Sequence, residues 1–153
     1  MAQGPPSVSD GPSELRDGVS TTRLDPDGEE RFQTLRRELD VGAFGLNLMR
    51  LRPGQRSRIH RHERQEEVYL VLEGTLTLEV ENEPRELSRG ELARVGPAVR
   101  RRLTNRTREP LLVLAVGGAL PHEGRDGVGW AEWDEPGDGR PPREIPLPPD
   151  VPV

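Results

Sequence analysis

The chain has 153 residues, enough for one domain, yet only 31% of them are apolar, so part of it is expected to lie outside any core. A net charge of -5 gives no general attraction to nucleic-acid backbones or anionic membranes, and no apolar run approaches membrane-spanning length, so neither is an expected partner. Cysteine is absent, which excludes disulfides, thiolate ligands and thiol nucleophiles, and all 22 basic residues are Arg.

Residues 1–24 are rich in Ser, Pro, Gly and Asp without periodicity, and are expected to form a disordered or loosely attached arm. The opening Met1-Ala2-Gln3-Gly4-Pro5-Pro6 has neither a basic nor an apolar leader region, which points to a cytoplasmic protein. From about Arg31 the texture changes to short apolar runs with period-two character: Phe44 to Leu51, Val68 to Leu72, Leu76 to Val80, Leu92 to Val95 and Leu111 to Val116. Turn signals at Pro53-Gly54, Glu73-Gly74, Asn82-Glu83-Pro84, Ser88-Arg89-Gly90 and Gly96-Pro97 separate them. The pattern predicts an all-β sandwich or barrel over residues 25–118, with no long helix. Val68 to Leu72 and Leu111 to Val116 are apolar on both faces, as expected if one face lines a barrel and the other meets a second sheet or a second copy in a homodimer. Residues 119–153 are Gly- and Pro-rich and are expected to pack as a tail on the barrel or a partner subunit, with Trp130 and Trp133 pinning it to the exterior or capping the mouth.

The chemistry concentrates between these runs. His60 and His62 share one face of a strand, and Glu67 opens the next apolar run, so three ligand-type side chains can converge. Two imidazoles and a carboxylate suit iron, manganese, zinc, nickel or copper without selecting among them. An exposed charged surface is the alternative for such a stretch. Glu66 should face away from Glu67, and His122, beyond the last strand, reads as an exposed loop histidine.

The frame Gly54, five residues, His60-Arg61-His62, four residues, Glu67, six residues, Gly74 resembles the first signature motif of the cupin superfamily in full. That resemblance implies a jelly-roll, a double-stranded antiparallel β-barrel, with His60, His62 and Glu67 pointing inward. Tyr69 then shares the inner face as a weak candidate proton donor. The family's second motif runs Gly, five residues, Pro-x-Gly, two residues, His, three residues, Asn. Gly90 and Asn105 match its ends, but Gly96-Pro97-Ala98 stands in place of Pro-x-Gly and Arg101 in place of the fourth ligand.

A guanidinium has no lone pair to give a metal, which leaves three outcomes. Arg101 points inward and pairs with Glu67, emptying the site of metal. Or it sits farther out, where Arg58 joins it in an anion-binding rim beside a three-ligand metal. Or the altered loop shifts the strand by one residue and turns Arg101 to solvent, bringing Arg100 or Arg102 inward. The resemblance permits a metal-dependent dioxygenase, isomerase or lyase acting on a small molecule; a metal-free small-ligand binder and a bare dimerisation module are the competing readings.

Overall fold

The structure is a computed structural model and describes residues 13–119 and 126–153, so His122 lies outside the described residues. The strands are β1 (Ser13–Arg16), β2 (Val19–Thr21), β3 (Phe32–Gln33), β4 (Gly45–Leu51), β5 (Ile59–His62), β6 (Glu66–Glu73), β7 (Leu76–Val80), β8 (Glu83–Leu87), β9 (Leu92–Val95), β10 (Arg101–Thr104), β11 (Leu111–Gly118) and β12 (Gly127–Trp130). One short turn of helix, α1 (Leu35–Glu38), and a 3-10 turn at Pro142–Glu144 complete it. Two five-stranded sheets carry the barrel, in the orders β12-β5-β10-β7-β8 and β3-β4-β11-β6-β9, and their pairings are antiparallel. β1 and β2 pair as a separate hairpin, in a polar segment that carries no apolar alternation to announce it.

Period-two alternation sorts the residues of the doubly apolar strands. Tyr69 and Val71 of β6, and Leu111 and Val113 of β11, turn inward to join Leu76, Leu78 and Leu103 of the other sheet in the core. Leu72, Leu112 and Leu114 turn outward, where Leu35 of α1 and Leu48 of β4 cover part of them. Chain crossing from β5 to β6 passes from one sheet to the other. The two histidines therefore project from one wall of the barrel and Glu67 from the wall opposite.

β12 lies in the segment where apolar periodicity has dissolved. It pairs with β5 so that Gly127 stands beside His62 and Gly129 beside His60. The missing side chains let the following chain cross this face, because a Cβ on Gly129 would come within 2.8 Å of Ile145 Cδ1. Trp130, on the outer face and 4% exposed, donates from Nε1 to the Gly137 carbonyl at 3.1 Å. Arg61 and Arg100 lie over its ring at 5.4 and 5.5 Å, and Arg100 also lies 5.6 Å over Trp133. Both indoles thus hold the start of the strap, the chain after β12 (residues 131–153), to the barrel exterior. Farther along, Arg58 Nε donates to Ile145 O at 2.6 Å, Arg56 Nε to Pro149 O at 2.9 Å, and Val151 N to Gly54 O at 2.9 Å.

Candidate metal centre

His60 and His62 leave β5 on its inner face, and each ring is tethered through Nδ1. His60 Nδ1 lies 3.2 Å from the Arg58 carbonyl and His62 Nδ1 lies 2.8 Å from Asp126 Oδ1. Both partners accept only, so each Nδ1 donates and the neutral ring keeps its lone pair on Nε2. Asp126 is itself fixed by the backbone N–H groups of Arg64 and Gln65, at 2.8 and 2.9 Å, and by Gln65 Nε2 at 2.8 Å. Burial opposes its ionisation, but these bonds and His62 outweigh that and hold its carboxyl below the usual range.

Glu67 divides its two oxygens. Oε1 faces His62 Nε2 at 2.5 Å, whereas Oε2 accepts the Tyr69 hydroxyl and lies 3.5 Å from Arg101 Nη2. One ligand atom from each of His60, His62 and Glu67 falls within 4.8 Å of the others, the group that could hold a metal ion among the described residues. This donor set fits a borderline divalent cation: two imidazole nitrogens and one carboxylate oxygen share a half-buried space, and the ion would take the place of the proton between His62 Nε2 and Glu67 Oε1.

Arg101 is fully buried. It pairs across the ladder with His60, donates from Nε to Tyr69 Oη at 3.1 Å and from Nη1 to Val99 O at 2.8 Å, and so sits behind Glu67 and Tyr69, away from the cavity mouth. The one-residue shift that would turn it to solvent does not occur. Ala98 explains why: at φ 67 it keeps the left-handed conformation that Gly supplies in the family's motif, and its N–H donates to His62 O at 2.8 Å. The loop path survives the substitution, and Arg101 lands where the histidine would be. Ala98→Gly should therefore raise stability by about 1 kcal/mol, read as a shift in urea midpoint at unchanged slope. Destabilisation would show that the left-handed turn is not a strained one.

The neighbouring arginines face outward. Arg100 Nη2 pairs with Glu81 at 2.9 Å, and Arg102 Nη2 lies 3.5 Å from Ala131 O beneath the strap. Glu66 also faces away and pairs with Arg94 Nε at 2.5 Å.

Charge in the site is balanced unevenly. Burial lowers the pKa of His60 to about 4, with Arg101 and His62 adding to the effect and Glu67 opposing it. For His62 burial also opposes charge, but Glu67 and Asp126 outweigh it and raise its pKa above the usual value. Burial works against an ionised Glu67 as well, yet His62, His60 and Arg101 together hold its carboxyl far below the usual range. Burial and the Glu67 charge push the Tyr69 phenol up, so it stays protonated.

The signs for metal-free protein follow from linkage. A depressed His60 contributes stability that is complete above its ordinary value of 6.5 and is lost as pH falls toward about 4. A raised His62 contributes stability present below 6.5 and lost as pH rises through its elevated value. Nitrogen-15 NMR of the imidazoles should therefore find His60 neutral and His62 cationic at pH 6; joint titration near 6.5 would contradict this arrangement.

A cavity of about 230 Å³ adjoins the three candidate ligands. Arg58, named from its position two residues before His60, lines it, and so does Arg31, which no sequence signal singled out. Phe32, Met49, Leu51 and Leu147 supply apolar wall. Pro142 and Leu147 come from the strap, so that segment closes one side of the cavity.

Residues 47–117 match the family model for the cupin domain. This part of the chain is a cupin domain. Among solved structures this cupin is similar to a sugar phosphate isomerase from a cupin superfamily of Silicibacter pomeroyi, at 28% identity and a TM-score of 0.57, over 66% of this chain and 64% of that one. A structure from Acidithiobacillus ferrooxidans, named provisionally as a sugar phosphate isomerase, matches at 24% identity and a TM-score of 0.56, over 65% of this chain and 63% of that one. A cupin protein from Bacteroides fragilis shares the fold at 18% identity and a TM-score of 0.60, over 80% of this chain and 99% of that one. The match thus spans less than two thirds of the first two relatives. No curated protein matches the chain. No helix among the described residues is long and apolar enough to cross a membrane.

Proposed function

We propose that this cupin holds one divalent metal ion on His60, His62 and Glu67 and binds a small molecule in the cavity beside it. The observation that carries the reading is the tethering of both Nδ1 atoms, by Arg58 O and Asp126, which commits each ring to offering Nε2 to a metal; binding would displace the proton that His62 Nε2 shares with Glu67 Oε1. Such outer anchoring is what a metal-binding imidazole needs to keep its tautomer and direction. Iron, manganese, zinc, nickel and copper all suit the set. A bound ion would polarise a substrate oxygen or activate oxygen, which dioxygenase, isomerase or lyase chemistry requires. Of these, the name of the Silicibacter pomeroyi relative favours isomerisation. Tyr69, protonated and bonded to Glu67, positions that carboxylate and is a weak candidate proton donor.

A second reading draws on Arg101, whose guanidinium lies 3.5 Å from Glu67 Oε2 and neutralises it without metal. Metal analysis of protein purified without a histidine tag separates the two. About one equivalent per chain supports the metal centre, and protein that remains metal-free after incubation with each of the five ions supports the neutralised site.

The homodimer expected from the doubly apolar strands belongs to this reading too. Leu72 and Leu114 stay only partly buried on the outer face of the β6–β11 sheet, and Leu92 on β9 is 62% exposed. Light scattering on the full chain should give twice the monomer mass, and Leu114→Arg should halve it. A monomeric wild-type protein would remove the dimer.

A further inference from the structure

We infer that the ligand of the cavity is an anion with an apolar body, its charged end taken by Arg31 and Arg58 and its body laid against the apolar wall. The inference rests on the cavity being the ligand site, and it adds the class of molecule. Arg31 spends Nη1 on Arg56 O at 2.6 Å, and Arg58 spends Nε on Ile145 O at 2.6 Å. Each bond fixes a guanidinium and leaves its other N–H groups available at the cavity. Neither residue has a carboxylate within ion-pair distance among the described residues, whereas the half-buried or buried Arg50, Arg61, Arg100 and Arg101 each have one. Burial depresses the basicity of Arg31 and Arg58 depresses it further, while Asp150 acts in the opposite sense from beyond ion-pair distance. Two fixed, neighbouring cations at a cavity wall repel each other, and an anion between them removes that repulsion.

The rest of the cavity selects against a heavily hydroxylated body. Besides the candidate metal ligands, its uncharged polar side chains are Asn47, Ser57 and Tyr69. Ser57 Oγ already donates to Arg58 O and accepts from Leu103 N, and the Tyr69 hydroxyl is bound to Glu67. Apart from the candidate metal ligands and the two arginines, Asn47 alone is left to meet hydroxyl groups, and each one buried unmet against Phe32, Met49, Leu51 or Leu147 weakens binding by about fivefold or more. A sugar phosphate, the substrate class in the name of the Silicibacter pomeroyi relative, has the anion but the wrong body. At about 230 Å³ the cavity suits a molecule the size of a small aromatic or branched-chain acid.

Calorimetric titration of the full chain with benzoate, benzyl alcohol, inorganic phosphate and glucose 6-phosphate tests this. Benzoate should bind one per chain, at least tenfold more tightly than benzyl alcohol, which lacks the charge, and than phosphate or glucose 6-phosphate, which lack the apolar body. Arg31→Gln and Arg58→Gln should each weaken benzoate at least tenfold while leaving metal content unchanged, with Arg31→Lys recovering part of the loss. The His60→Ala, His62→Ala double variant should still bind benzoate. Benzoate lost in that variant but kept in Arg31→Gln would mean that a metal holds the anion, and would overturn the proposal. Tighter binding of glucose 6-phosphate, or no binding of benzoate, would overturn it as well. Failure of the metal reading appears separately, as absent metal with benzoate binding intact.

Discussion

Changing His60 and His62 together to Ala is expected to take metal from about one equivalent per chain to below a tenth, with affinity for added ion falling more than about 100-fold. The two imidazoles are two of the three donors, and Glu67 alone, flanked by Tyr69 and Arg101, has no partner with which to chelate. The barrel should survive, because neither ring belongs to the apolar core formed by residues such as Leu78, Leu103 and Val113. Elemental analysis and a denaturant curve on the same preparation check both halves. Metal retained at the wild-type level would move the site elsewhere and sink the proposed centre.

Arg101→His should have the opposite effect on metal and a large effect on stability. It restores an imidazole at the position that pairs with His60 and removes a buried cation 3.5 Å from Glu67 Oε2. At an effective dielectric of about 20, unit charges about 4 Å apart interact by about 4 kcal/mol, so an incoming dication gains substantially from that loss. Metal affinity should rise at least about tenfold. Metal-free protein, in contrast, loses the partner of a buried carboxylate and the bonds to Tyr69 Oη and Val99 O, and should unfold about 3–5 kcal/mol more easily. Saturating metal should recover much of this through binding linkage. An affinity indistinguishable from wild type would show that the guanidinium does not act on the metal position.

The parts of the site readable in the sequence are those whose spacing falls within one strand or across one crossing. His60, His62 and Glu67 lie within eight positions, and strand periodicity alone puts the histidines on one face. Arg101 could be located but not oriented, because a one-residue slip reverses every side chain and the slip depended on Ala98, whose type argues against the conformation it adopts. Asp126 was not legible at all. It meets His62 from 64 positions away, and its segment carries no apolar pattern from which a strand could be inferred. β12 was missed for the same reason: alternate Gly residues erase the very alternation that reveals a strand, since here the strand's inner face makes room for chain where others bury side chains. Arg31 escaped notice because a single Arg in an Arg-rich chain has no local signature.

The strap that crosses β12 gives the barrel a division of labour. Candidate metal ligands stand on β5 and β6, inside a frame whose register fixes them, whereas Pro142 and Leu147, which face whatever fills the cavity, ride on a peptide fastened mainly from outside by arginine side chains and a few backbone bonds. Substitutions in that peptide can reshape the cavity without disturbing the ligand frame. On the proposed function, the choice of ligand and the holding of metal are therefore separately adjustable, and a graft of residues 140–149 from another cupin domain would exchange one while preserving the other.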